Sequence, residues 1–419
     1  MADGEENVVI IGNGSAGVEC IKSQRKNGYK GKIHAMTDSE WPAYNPMLTT
    51  YFVADKIGFS QLFPYGSGKG YLSEYAVSLI SGSPVVSLDA EQKVVMNGEG
   101  LRLKYDQCLI ASGASPVLPT VPGIDSANVF VMRTVDDAIK LKTKMDCKPQ
   151  KALVVGASMV GIKLVELFYK AGMEVCLADM AEHLFPLAAH PACAAIMEER
   201  LCRQGIRLRF RSCLDELVEY PGGLEARFAD GSPSEKADLV CICVGVRANI
   251  GFINKSQVAC KNGILVDERM QSSVPGLYAA GDAAQGKNRL TGVPQIIGLW
   301  ANARYQGRTA GKNMAGGYDA IPGSIPQNIT HFMGMDFVGI GDVMNYDATK
   351  SINDKNRHIQ SFWRDGRLQG VNILDDIGSP GVLRSAMYKG LKRRDQLLQH
   401  FSNGQHLLIE EILKEVMGK

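Results

Sequence analysis

Gly12, Gly14 and Gly17 stand in NVVIIGNGSAG, directly after an apolar run and at the start of a helical pattern. Glycines at that spacing can cradle a phosphate chain. The first permits a tight turn, the second lets a pyrophosphate approach bare backbone, and the third allows close packing of helix on strand. Ser15 and Ala16 fall at the amino end of the helix, where N–H groups and the dipole favour anions. A second cradle follows in KALVVGASMVGIKLVELFYKAGMEVCLADM, with Gly156 and Gly161 at its ends and Ser158 where the middle glycine would stand. Met159 and Val160 complete that loop.

Each cradle is followed by a strand that ends in an acid. Asp38 ends KIHAMTD and is placed to accept hydrogen bonds from ribose hydroxyls, with Glu40 as its rival. Asp179 ends MEVCLAD in the second unit. The residues after it, MAEHL, hold no Lys or Arg for a 2′-phosphate, which favours NADH over NADPH. Two similar βαβ patterns in one chain predict two dinucleotides bound together.

Around these loops the pattern predicts helices ending near Asn27-Gly28 and Lys170, and short strands leading to Gly281-Asp282. A helix-like stretch then spans about 294 to 315. GGYDAIPGSIP reads as a linker. Beyond 326 come shorter alternating segments, HIQSFWRDGRLQGVNIL among them, and a helical tail near 398–417. The predicted fold is α/β, with two interleaved Rossmann-like dinucleotide-binding domains and a smaller α+β C-terminal domain. Its parts are 1–123 and 262–325 for the first nucleotide, 124–261 for the second, and 326–419 as an interface or dimerisation domain.

The chain has 419 residues, and 46 Lys plus Arg stand against 44 Asp plus Glu. No global charge excess points to nucleic acid. No apolar run is long enough to cross a bilayer and MADGEENVVII is not a signal sequence, so a cytoplasmic location is expected. The ten cysteines include no CxxC. Cys241 and Cys243 share a face of ADLVCICVG and read as buried thiols. The seven histidines form no compact metal pattern, and His183 and His190 read as packing or surface residues. The run KGLKRR suits an acidic partner or plain solvation, and LLIEEILKEVM suits a packed, possible homodimer helix.

Taken in order, these motifs resemble the FAD-dependent pyridine nucleotide–disulfide oxidoreductase superfamily, and within it the rubredoxin, ferredoxin and nitrite reductase-like NAD(P)H oxidoreductases. The resemblance implies FAD at Gly12, Gly14 and Gly17, with Ala111, Ser112 and Gly113 matching the family's Ala-Thr-Gly stretch. It implies NADH at Gly156 to Gly161, with Gly245 also in contact with cofactor. Gly281 and Asp282 match the second flavin motif, whose Asp holds ribitol hydroxyls. Pro294 and Gln295 are expected near the ring edge. Trp300 suits either stacking near the ring or ordinary helix packing.

Two departures from the family matter. Relatives with a thiol relay carry cysteine after the acidic strand, but DSEWPAYNPMLTTYFVADK across 38–56 has none. Met47 lies in that neighbourhood, and a thioether forms no thiolate. Cys20 reads as structural. Relatives also carry Glu where this chain has Lys163, which suits an anionic reduced flavin or a carboxylated partner, or else faces solvent; Glu166 is one turn away. The expected reaction is hydride transfer from NADH to FAD, with nicotinamide C4 about 3–3.5 Å from flavin N5. No catalytic side chain is expected for that step. Electrons then pass to an external acceptor, a rubredoxin- or ferredoxin-like protein. The alternatives are a flavoprotein subunit of a larger complex, and a small-molecule reductase or oxidase.

Overall fold

The computed structural model describes residues 6–68, 70–353 and 357–390. These form two compact units, one from the described residues of 1–115, 133–138 and 246–324, the other from those of 116–132, 139–245 and 325–419.

In the first unit five parallel strands run in the order Leu277–Ala279, Gln107–Ile110, Asn7–Ile11, Lys32–Met36, Val77–Ile80. The central strand is apolar on both faces because both are covered. Val8 and Ile10 pack with Val18 and Ile21 of the helix Ser15–Lys26. Val9 and Ile11 join Leu88, Val95 and Ile253 on the other face.

The helices Ser15–Lys26 and Trp300–Met314 lie against each other at backbone distance. A Cβ on Gly307 would sit 2.2 Å from the Ala16 carbonyl oxygen, and one on Gly311 would sit 2.3 Å from that of Cys20. Spaced four apart, these glycines line one groove of the helix. Glu19, buried in that contact, accepts from Arg304 Nε at 2.8 Å and Arg308 Nε at 2.6 Å. Tyr65 donates to the same carboxylate at 3.1 Å. Burial pushes the Glu19 pKa up, but Arg308 and Arg304 outweigh it and hold the group below the usual carboxylate range.

The helix pattern from about 294 to 315 is shorter than expected at its amino end. Pro294 and Gln295 form a short strand antiparallel to Ala284–Lys287, and the helix begins at Trp300. Gly298 separates the two; proline lacks a donor and suits this edge position.

The second unit repeats the parallel arrangement, in the order Arg207–Arg209, Glu174–Ala178, Lys151–Val155, Leu239–Ile242, Val129–Phe130. Its helix Met159–Lys170 follows the second cradle. A five-stranded antiparallel sheet, in the order Gln327–Phe332, Met335–Gly341, Arg367–Leu374, His358–Arg364, Ala348–Asn353, belongs to the same unit. The buried Asn372 ties it to the parallel layer, accepting from His190 N at 2.7 Å and donating to Ala188 O at 2.8 Å. The helical tail and the end of KGLKRR lie outside the described residues. Among the described residues no helix is long and apolar enough to cross a membrane.

Two outcomes are expected. Gly307→Ala forces the helices apart and costs at least about 2 kcal/mol in urea unfolding; a variant of unchanged stability would contradict the packing. Because the folded-state pKa of Glu19 is lowered, its contribution is present above the unfolded value and lost as pH falls through the folded one. Between about pH 5 and pH 3 the Tm of Glu19→Gln therefore declines less steeply than that of the parent; equal slopes would show that Glu19 carries no such term.

Candidate functional site

The first cradle is built by contacts that admit no side chain. Gly12 has φ +104°, and its Cβ would lie 2.1 Å from the Ala111 carbonyl oxygen and 3.0 Å from Ser112 N. A Cβ on Gly17 would lie 2.2 Å from Gly12 O. Gly14 differs, because nothing lies within 4 Å of its Cβ position. It is the N-cap of Ser15–Lys26, and no side chain caps that helix. The opening N–H groups of Ser15, Ala16 and Gly17 have no acceptor within the helix, and the open space over Gly14 leaves room beside them that fits a pyrophosphate.

Ala111, Ser112 and Gly113 are fixed beside this loop by Asn249. Ser112 Oγ donates to Asn249 O at 2.7 Å, and Asn249 Nδ2 donates to Ser112 O at 3.1 Å. Asp38 lies exposed beyond the end of Lys32–Met36. Glu40 leans on Gly82, whose Cβ would meet Glu40 Oε1 at 2.0 Å.

Gly281 has φ +73° and donates to Gln306 Oε1 at 2.8 Å, which presents Asp282 in a short turn. Asp282 Oδ2 pairs with Arg133 Nη2 at 2.6 Å. Arg133 is a residue that the sequence reading missed. Its signal is the segment RTVDD, where Thr134 N donates to Asp137 at 2.8 Å and Asp137 N to Thr134 Oγ1 at 3.0 Å. This reciprocal cap holds Arg133 just outside a helix start. Trp300 is half-buried, with its ring 6.1 Å from that of Tyr65. Pro294 and Gln295 are exposed on their own small sheet, where Gln295 accepts from Asn288 at 2.8 Å.

The second cradle reproduces the close approaches. Gly156 has φ +118°, and its Cβ would lie 2.4 Å from Cys243 O; that of Gly161 would lie 2.0 Å from Gly156 O. Ser158 occupies the N-cap, and its hydroxyl accepts from Gly161 N at 3.1 Å. Serine is a favoured cap, which explains its place where the motif has glycine. Met159 is half-buried and Val160 exposed in the first turn, and Gly245 has φ +124° with its carbonyl accepting from Val117 N at 3.0 Å. Both carboxylate oxygens of Asp179 accept backbone N–H groups, from Ala157 at 2.6 Å and from Ala181 at 2.7 Å.

Lys163 is not solvent-facing. Its side chain is 14% exposed, and Nζ lies 2.7 Å from both Glu166 Oε2 and His331 O. Glu166 also takes Lys170 at 2.7 Å. The lysine therefore ties its helix to the strand Gln327–Phe332.

The cysteine-free stretch 38–56 contributes Trp41 and Phe52 to an aromatic cluster with Phe59 and Phe63. The Phe59 ring lies 5.4 Å from Trp41, 5.3 Å from Phe63 and 5.6 Å from Phe52, while Met47 is exposed. Burial raises the thiol pKa values of Cys20, Cys108 and Cys241, and pushes Cys193 and Cys243 up to about 12. Cys20 packs its sulfur 3.7 Å from that of Met314. None of these is an activated nucleophile. Among the described residues no group of His, Cys, Asp and Glu is placed to hold a metal. His190 caps Pro191–Arg203 and meets Tyr346 Oη at 2.9 Å.

Comparison with known proteins shows the family. The pyridine nucleotide-disulphide oxidoreductase family model matches residues 6–307. The chain is 28% identical over 394 residues to the NADH-dependent phenylglyoxylate dehydrogenase subunit epsilon of Aromatoleum evansii, covering 92% of each. It is 24% identical over 341 residues to a rubredoxin-NAD(+) reductase of Ectopseudomonas oleovorans, covering 81% of this chain and 88% of that one. A solved covalent putidaredoxin reductase–putidaredoxin complex shares the fold with a TM-score of 0.89 at 22% identity, covering 99% of each chain. With two glycine cradles of matching geometry and a family match over well over half its length, the chain belongs to the pyridine nucleotide-disulphide oxidoreductase family and is an FAD-dependent oxidoreductase that takes hydride from NADH.

Proposed function

We propose that this protein passes electrons from its flavin to an external redox protein of rubredoxin or ferredoxin type without a thiol relay. The observation that carries this reading is the stretch 38–56, which holds no cysteine and whose Trp41 and Phe52 pack with Phe59 and Phe63. The chemistry that the bound nucleotides supply is hydride transfer to a carrier able to release electrons singly.

In this reading Gly12, Gly14, Ser15, Ala16 and Gly17 hold the FAD pyrophosphate through backbone N–H groups. Asp38, rather than the Gly82-packed Glu40, takes the adenosine ribose. Ala111, Ser112 and Gly113 close the loop from the neighbouring strand. Asp282 takes the ribitol hydroxyls, and Arg133 orients it. Gly281, Pro294, Gln295 and Trp300 border the ring. Gly156, Ser158, Met159, Val160 and Gly161 hold the NADH pyrophosphate, Asp179 its adenosine ribose, and Gly245 borders its path. Residues 1–123 with 262–325 then serve FAD, helped by Arg133 and Asn249 from the 124–261 stretch that otherwise serves NADH, and 326–419 serve an interface, a homodimer included.

A second reading has a specific support. The similarity to an epsilon subunit over 92% of both chains favours a flavoprotein component of a larger oxidoreductase. Acceptor turnover separates the two. Under the first reading, anaerobic NADH-driven reduction of a purified rubredoxin or ferredoxin outpaces reduction of oxygen. It also survives, within about twofold, N-ethylmaleimide treatment that blocks the exposed Cys147, Cys202 and Cys213. Loss of turnover on alkylation would contradict a thiol-free exit. Bound flavin with little NADH turnover on any acceptor would favour the subunit reading, and oxygen reduced as fast as the carriers would favour an oxidase.

A further inference from the structure

The preference for NADH drawn from sequence rests on the lack of a basic residue immediately after Asp179. The sheet supplies one from elsewhere in the chain. Arg207–Arg209 pairs in parallel with Glu174–Ala178, with Arg209 opposite Ala178, and the pairing continues past both strand ends. Asp179 N donates to Arg209 O at 2.9 Å, Arg211 N to Ala181 O at 2.9 Å, and Ser212 N to Asp179 O at 3.0 Å. Arg211 therefore flanks the same turn that carries Asp179.

Its conformation and surroundings are unlike those of its neighbour Arg209. Arg209 is engaged, with its guanidinium 4.1 Å over the Phe228 ring and a hydrogen bond to Ser232. Arg211 adopts φ +57°, uncommon for a residue with a side chain, and its side chain is 73% exposed. Its partner is Glu182 at 3.2 Å, itself 71% exposed. An ion pair so open to water is weak and exchanges readily. Glu182 is thus a replaceable counter-ion, three residues beyond the acid that faces a ribose.

We propose that Arg211 is a specificity-determining residue that receives the 2′-phosphate of NADPH, so that this protein takes NADPH as well as NADH. The inference rests on the reading of the second cradle as the nicotinamide nucleotide site. A 2′-phosphate monoester carries close to two negative charges, and guanidinium meets such a group with paired N–H donors. Asp179 opposes the phosphate, but both its oxygens already accept N–H groups from Ala157 and Ala181. That arrangement fixes the carboxylate and offsets part of its charge. Glu182 opposes it too, and competes for the same guanidinium.

The test is calorimetric titration of the FAD-loaded protein with 2′,5′-ADP and with 5′-AMP, which differ only in the phosphate at issue. Arg211→Gly suits a positive φ, so it removes the guanidinium without straining the turn. The expected result is that Arg211→Gly lowers the affinity for 2′,5′-ADP relative to 5′-AMP by about fivefold or more. Arg211→Lys recovers part of that ratio, and Glu182→Gln raises it. The ratio in the parent protein also declines with added salt. An unchanged ratio in Arg211→Gly would overturn the proposal, leaving Arg211 and Glu182 a surface ion pair while the NADH site stands. Binding of neither probe would overturn the placement of adenosine at Asp179, and this inference with it.

Discussion

The approach of bare backbone to a carbonyl oxygen is the constraint on which the rest depends. In each cradle the first glycine packs under the neighbouring strand, Gly12 against Ala111 and Gly156 against Cys243. The last glycine of each packs over the first, with Cβ positions only 2.2 Å and 2.0 Å from the oxygens of Gly12 and Gly156. No residue with a side chain fits at those four places. The helix of each cradle therefore starts directly above the end of its strand, with its N–H groups turned to the loop. In the first unit the same device recurs a layer further out, where Gly307 and Gly311 bring Trp300–Met314 onto the cradle helix and Glu19 is clamped by Arg304 and Arg308.

The two cradles are not equivalent. The first leaves its helix start without a side-chain cap and has open space over Gly14, so its donors are free to meet a tightly held dinucleotide. The second caps itself through Ser158 and ties Asp179 back to Ala157. Two donors of that loop, Gly161 N and Ala157 N, thus already have side-chain partners. This difference suits a resident flavin in the first cradle and a nicotinamide nucleotide that arrives and departs in the second.

Much of the fold was legible because glycine spacing and apolar runs are local signals. The strand, loop and helix of each cradle follow from residues adjacent in sequence. What was not legible depends on sheet pairing and tertiary contact. Arg133 stands far from Asp282 in sequence, and only the Thr134–Asp137 cap hints at its fixed position. Arg211 reaches the turn of Asp179 through a neighbouring strand. The start of the helix at Trp300 was hidden by a periodic stretch that includes Pro294, which instead sits in a short strand. The Lys163–Glu166 pair was readable from its i,i+3 spacing, but the bond to His331 O was not, because His331 belongs to a strand much later in the chain.

The most direct measurement of the central claim is an anaerobic visible spectrum of the purified protein during stepwise addition of NADH. The account predicts a flavin band near about 450 nm that bleaches to completion with one equivalent of NADH per flavin. A bound flavin that NADH leaves oxidised would contradict it, because the second cradle would then not deliver hydride to the first.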